Sequence, residues 1–135
     1  MSAAPLTSEA LLAKATRAAA SAQALLSLGD ADGACNRAYY AMFDAARAAL
    51  MAHGRPARSE GAKTHSGVIS SFSLELVKTG LIPVELGRAL KRAEETRVVA
   101  DYRGDTVGAE DAAAVVGQAL TFVVAMKQFC EPKGA

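Results

Sequence analysis

Asn36-Arg37-Ala38-Tyr39-Tyr40-Ala41-Met42-Phe43-Asp44 falls into order when it is wound into a helix. Arg37, Tyr40, Asp44 and Arg47 then share one stripe, and Tyr39, Phe43, Ala46 and Leu50 share another. Both sets recur every three or four residues, the period of an α-helix face. At about 100° per residue, the polar stripe is confined to about 80° of arc. Three chargeable side chains and a tyrosine in so narrow a strip suggest part of a site rather than a solvated surface. A second polar segment, Arg97-Val98-Val99-Ala100-Asp101-Tyr102, matches it later in the chain.

Outward from this helix, the pattern predicts four more. A first helix starts at Thr7 or Ser8, either of which can cap it, with Leu6 available as a staple, and runs to Leu28 before Gly29. Its apolar positions are Leu12, Ala15, Ala19, Ala22 and Leu26. Asp30 or Asp32 caps the second helix, which ends near Ala52, before Gly54 and Pro56. A third runs from Thr64 or Ser66 to Thr79, with Val68, Ile69, Phe72 and Leu76 inward and Gly80 as its stop. Pro83 suits the first turn of a fourth, which continues through Arg97 toward Tyr102. The fifth spans about Ala109 to Cys130, with Ala112, Val115, Ala119, Phe122, Met126 and Phe129 in phase, Val116, Val123 and Cys130 widening that face, and Pro132 closing it. That face is broad enough to carry a subunit interface as well. Strand-type alternation and internal repeats are absent. The expectation is an all-α protein: a single domain over 1–135, built as a four- to five-helix up-and-down bundle. Its one long loop, at about 53–65, is rich in glycine and cations and is expected to be mobile.

Composition agrees. The 135 residues include 31 alanines and no tryptophan. Alanine favours helices and lets them approach closely. Fifteen Lys and Arg against fourteen Asp and Glu leave a net charge of +1, so any nucleic-acid affinity must come from a local patch. Cys35 and Cys130 give neither a disulfide framework nor a metal-ligand spacing and read as buried free thiols. The N-terminus lacks a signal-peptide pattern, and no run approaches about 18 consecutive apolar residues. A soluble cytoplasmic protein is expected, without membrane attachment, metal or cofactor.

On the fourth helix, Leu86, Leu90 and Ala93 form the apolar stripe, and Arg97 falls in phase with it. A core-facing arginine is costly unless paired. Asp101 lies one turn on, and Asp44 can reach Arg97 if the second and fourth helices are neighbours. One reading is a buried Arg–Asp pair that fixes helix register. The other is an inward pocket of Arg37, Asp44, Arg97 and Asp101 with Tyr40 and Tyr102 at its rim. Guanidiniums grip phosphates bidentately and stabilise the charge of a phosphoryl-transfer transition state. Lys63 and His65 stand at the start of the third helix, where unsatisfied amides favour anions, and His65 is the natural general acid or base there. The alternative for them is a solvated helix cap. His53 follows Arg47 by six residues, but on a continuous helix the two point about 120° apart. It reads as a helix-end cap. Arg55, Arg58, Lys63 and Arg103 make at most a modest basic patch.

The run from Asn36 to Leu50 resembles the second-helix signature of small prokaryotic HEPN-domain proteins. Lys63-Thr64-His65-Ser66-Gly67-Val68-Ile69-Ser70-Ser71-Phe72 is similar to the segment that follows it in that family. Leu90-Lys91-Arg92-Ala93-Glu94-Glu95-Thr96-Arg97 and Ala100-Asp101-Tyr102 resemble its fourth-helix signature. The resemblance extends over about residues 9–130 and identifies the Arg-Ala-Tyr-Tyr, Ala-Asp-Tyr branch. It implies a four- to five-helix bundle that dimerises around a polar cleft. It also implies nucleotide or RNA binding, metal-independent RNase activity in many members, and a toxin–antitoxin partnership with a minimal nucleotidyltransferase. HEPN RNases carry an Arg-x4-6-His motif in their later helices. Here Arg97 is followed by Asp101 and Tyr102, with no histidine.

Two functions are therefore expected to compete. The first is a nucleotide- or RNA-binding protein paired with a nucleotidyltransferase, as the toxin of the pair. Its catalytic candidates are Arg37, His65 and Arg97, and its binding candidates are Tyr40, Asp44, Lys63, Asp101 and Tyr102. The second is a catalytically silent interaction module whose polar cluster is structural. A weaker third makes Tyr40 or Tyr102 the target of nucleotidyl transfer by the partner.

Overall fold

Thr7 opens the first helix by accepting the Ala10 N–H on its Oγ1 at 3.0 Å. In the computed structural model, which describes residues 6–54, 64–102 and 106–132, this helix, α1, spans Ser8–Ser27. Gly29, at φ 85°, ends it. That backbone lets the Asp30 N–H reach back to the Leu25 carbonyl at 2.9 Å and the Gly29 N–H reach Leu26 at 3.1 Å, the double bond of a Schellman cap. Asp30 then caps α2, Ala31–Ala52, by accepting the Gly33 N–H at 2.9 Å. A Cβ at residue 33 would collide with that carboxylate. Asp32, the other candidate cap, accepts the Val107 N–H at 2.8 Å and so ties the linker before the last helix to the start of α2.

Thr64 caps α3, His65–Phe72, which widens into one π-helical turn over Ser73–Val77. The expected α-helix to Thr79 is corrected in this last part. Val68, Phe72 and Leu76 are all buried and spaced strictly by four. Residues so spaced drift around a 3.6-residue helix. The wide turn, with Lys78 N–H bonded to Ser73 O at 2.8 Å, keeps Leu76 in line with Phe72. The fourth helix, α4, is Val84–Tyr102, and the fifth, α5, is Ala109–Cys130. Pro83 stands just outside α4 rather than in its first turn, its carbonyl accepting the Leu86 N–H at 3.1 Å.

These five helices pack as a bundle with α2 at its centre, in contact with the other four. Seven of its buried residues are alanines, which allow that crowding. Tyr39, Met42, Phe72, Phe122 and Leu11 fill the remaining volume, and the Phe72 and Phe122 rings lie 5.5 Å apart. On α1, Leu11 rather than Leu12 takes the fully buried place. On α5 the in-phase residues from Ala112 to Met126 are buried, whereas Phe129 and Cys130 are half-buried. Among the described residues, α5 is the helix long and apolar enough by composition to cross a membrane. Core helices of globular bundles share that composition, and seven α5 residues are in this core. Cys35 and Cys130 are free, and burial pushes the Cys35 thiol up to about 11, with Asp32 and Asp111 adding to the effect.

Candidate functional site

Leu90 and Ala93 fix the phase of α4, and Arg97 follows them inward until it is only 6 % exposed. Its Nη1 donates to Asp101 Oδ2 at 3.3 Å, one turn along the same helix. Asn36, from α2, donates its Nδ2 to the same oxygen at 3.2 Å. Arg97 Nη2 lies 3.4 Å from His65 Nδ1 at the start of α3. Below the guanidinium is the Tyr39 ring, 4.8 Å from Arg97 Cζ, with the Tyr40 ring at 6.0 Å. The His65 ring completes the cluster against Phe43, Tyr39 and Tyr40, at centroid distances of 4.8, 5.4 and 5.5 Å. Three helices thus converge on one cation, held from beneath by aromatic faces.

Electrostatics follow from this geometry. Burial lowers the His65 pKa, and the neighbouring Arg97 charge lowers it further against a small opposing effect of Glu94. His65 is therefore neutral near pH 7. With Arg97 donating to Nδ1, the proton of the neutral ring belongs on Nε2. Burial raises the Tyr39 phenol, which stays protonated; its hydroxyl has no hydrogen-bond partner among the described residues. The bonds around Arg97 are long, since charge-assisted pairs usually close to about 2.7–2.9 Å.

The polar stripe of α2 is divided between two neighbours. Tyr40 turns toward α3 and α4, but Asp44 does not reach Arg97 as the sequence suggested. Asp44 is 5 % exposed and responds to Lys14 on α1, then Arg47 and Arg37. Burial outweighs these cations and raises its pKa. Arg37 lines a hollow of about 520 Å³ between α1 and α2, with Lys14 and Arg17. Its Cζ is 5.7 Å from the Tyr40 ring, while Arg47 Cζ is 5.9 Å from Phe43. An arc of about 80° on a central helix is wide enough to face two partners, and periodicity alone does not say which. The inward pocket read from the sequence is therefore corrected: Arg97, Asp101, His65 and Tyr40 meet, and Arg37 and Asp44 are associated with the cations of α1 instead.

Lys63, Arg55, Arg58 and Arg103 lie outside the described residues, as does most of the 53–65 loop. Tyr102 closes the α4 backbone, and its side chain is outside the description too. His53 ends α2, its backbone N–H donating to Ala49 O at 3.0 Å. Among the described residues, no three side chains of His, Cys, Asp and Glu gather as a metal site would require. The sequence pattern does not single out Asn36, Tyr39 and Phe43 as site residues. Their i, i+3, i+7 spacing on the face that also carries the apolar stripe was the available signal.

Residues 8–129 match the HEPN domain model. A UPF0332 protein of Gloeobacter violaceus is 36% identical over 118 residues, 84% of this chain and 90% of that protein. A UPF0332 protein of Thermotoga maritima is 41% identical over 78 residues, 58% of this chain and 54% of its own length. A protein of Methanocaldococcus jannaschii named as a candidate toxin is 35% identical over 92 residues, 68% of this chain and 65% of that one. With a family match across almost all of its length, and a UPF0332 relative that it covers nearly in full, the chain belongs to the HEPN-domain family.

Proposed function

We propose that the Arg97 cluster binds the phosphate of RNA or of a nucleotide, and that the protein is the toxin of a toxin–antitoxin pair with a minimal nucleotidyltransferase. In this reading it works in the cytoplasm as a homodimer and cleaves RNA without a metal. The observation that carries it is the contact of Arg97 Nη2 with His65 Nδ1 at 3.4 Å. The linear Arg-to-His motif is missing from α4, and a histidine from α3 supplies the pair in space. Asp101, holding Arg97 Nη1 at 3.3 Å, occupies the place of an anion that a phosphate can take over. Kinship with proteins named as candidate toxins supports the physiological role.

A phosphate that draws Arg97 onto its oxygens frees the Nδ1 lone pair of His65. The imidazole then accepts the 2′-hydroxyl proton, the 2′-oxygen attacks phosphorus, and the bond to the 5′-oxygen breaks. Water returns a proton to the leaving oxygen, and Arg97 stabilises the charge on the phosphorane. His65 must be uncharged to act as this base, and its pKa is lowered. The acid limb of the cleavage profile is therefore expected below about pH 6.5, the ordinary imidazole value. Incubating the purified protein with single-stranded RNA in EDTA tests the reaction. Cleavage by the wild type, lost in His65→Ala and retained in Arg47→Ala, supports it.

The competing reading, a catalytically silent interaction module, draws on the same network. Arg97, Asp101, Asn36 and His65 bond to one another and link α2, α3 and α4. If wild-type protein leaves RNA intact and shows no thermal shift with nucleotides, the silent module is the correct description.

A further inference from the structure

We infer that the hollow between α1 and α2 lined by Lys14, Arg17 and Arg37 is a second phosphate subsite, and that the ligand is a single strand of RNA long enough to reach it from Arg97 across Tyr40. This rests on the reading of the Arg97 cluster given above. The hollow, of about 520 Å³, is lined by three cations, and the rest of its lining is small or aliphatic, with no carboxylate. In a chain whose net charge is only +1, that concentration of one sign is local. Lys14 and Arg17 stand three residues apart on α1, where like charges repel. Arg37 adds a third positive charge from α2. Among the described residues none of the three forms a salt bridge, and the carboxylate on which Lys14 and Arg37 act, Asp44, is buried. An anion lodged in the hollow relieves this repulsion.

Tyr40 joins the two sites. Arg37 Cζ lies 5.7 Å from its ring and Arg97 Cζ lies 6.0 Å from the same ring. Two guanidiniums about one aromatic ring form a short track, and regularly spaced phosphodiesters on one strand match such a track. A nucleoside monophosphate has one phosphate group and fills only one end.

The test uses fluorescence anisotropy of a labelled single-stranded 2′-O-methyl hexaribonucleotide, which cannot be cleaved by 2′-hydroxyl attack, at several salt concentrations, with AMP as competitor, on the wild type and the double variant Lys14→Ser/Arg17→Ser. Both lysine and arginine are exposed, so the variant is expected to melt with the wild type. Single-stranded binding loses about 0.7 of log–log salt slope per phosphate contact, so a variant that gives up the one phosphate in the hollow is expected to show a slope shallower by about 0.7. AMP affinity is expected to stay unchanged. A hexanucleotide slope equal to the wild type's overturns the second subsite and leaves the Arg97 reading standing. No binding of hexanucleotide or AMP by the wild type overturns both. A polyglutamate chain that binds as tightly as the hexanucleotide, and loses as much in the variant, overturns the assignment of the groove to RNA.

Discussion

Arg97 is where sequence and structure agree most closely on a single residue, because a charge in phase with Leu90 and Ala93 has to be buried and has to be paired. Arg97→Ala removes the guanidinium and leaves a gap over the Tyr39 ring. A loss of about 2 kcal/mol in urea unfolding is expected, less than for a fully buried pair because Asp101 keeps contact with water. Arg97→Met retains most of the apolar stem and is expected to recover more than half of that loss. Asp44 makes a prediction of the opposite kind. Its folded pKa is raised by burial, so the folded state holds the proton more tightly than the unfolded chain. Its contribution is fully present below the unfolded value and is lost as pH rises through the folded one. Asp44→Asn is therefore expected to be at least as stable as the wild type at pH 7 by urea titration. A variant clearly less stable at that pH would show that Asp44 is held as a carboxylate by Lys14 and Arg47. Nothing in the sequence separated Asp44 from Arg97, since both fit a pocket until the neighbour of each helix face is known.

At the scale of elements, punctuation was the most legible feature. Thr7, Asp30 and Thr64 cap the helices they were expected to begin, and Gly29, Gly54 and Gly80 sit at φ 85°, 84° and 81°, where a side chain is strained. The π turn at Ser73–Val77 was not legible, because it answers a demand of the assembled core and not a local preference. Thr64 connects this scale to the site: its Oγ1 accepts the Gly67 N–H at 3.0 Å and so sets the first turn that carries His65. Thr64→Ala is expected to cost about 1 kcal/mol. It should also raise amide hydrogen exchange across α3 before any other helix, as exchange mass spectrometry can measure. Equal protection of α3 in variant and wild type would mean that packing of Val68 and Phe72, and not the cap, holds His65.

For the molecule as a whole, the all-helical bundle followed from five periodic segments and their breaks, while the partition of its polar residues did not. α2 is the centre of the bundle, so every side chain on it faces some partner, and its polar stripe serves both the Arg97 cluster and the α1 groove. The role of Asn36 is not legible for the same reason: its partner, Asp101, lies 65 positions away in sequence. The chain is a HEPN-domain protein, and the proposed function puts RNA at the cluster where α2, α3 and α4 meet. The affinity of a labelled single-stranded 2′-O-methyl oligoribonucleotide, which lacks the attacking hydroxyl, for wild type, His65→Ala and Asp101→Asn, tests that claim most directly. His65→Ala is expected to weaken binding about tenfold, or ~1.4 kcal/mol. Asp101→Asn, which removes the competing anion from Arg97, is expected to tighten it, and both proteins should remain folded by circular dichroism. Folded variants that bind with the wild-type affinity would contradict the assignment of the site.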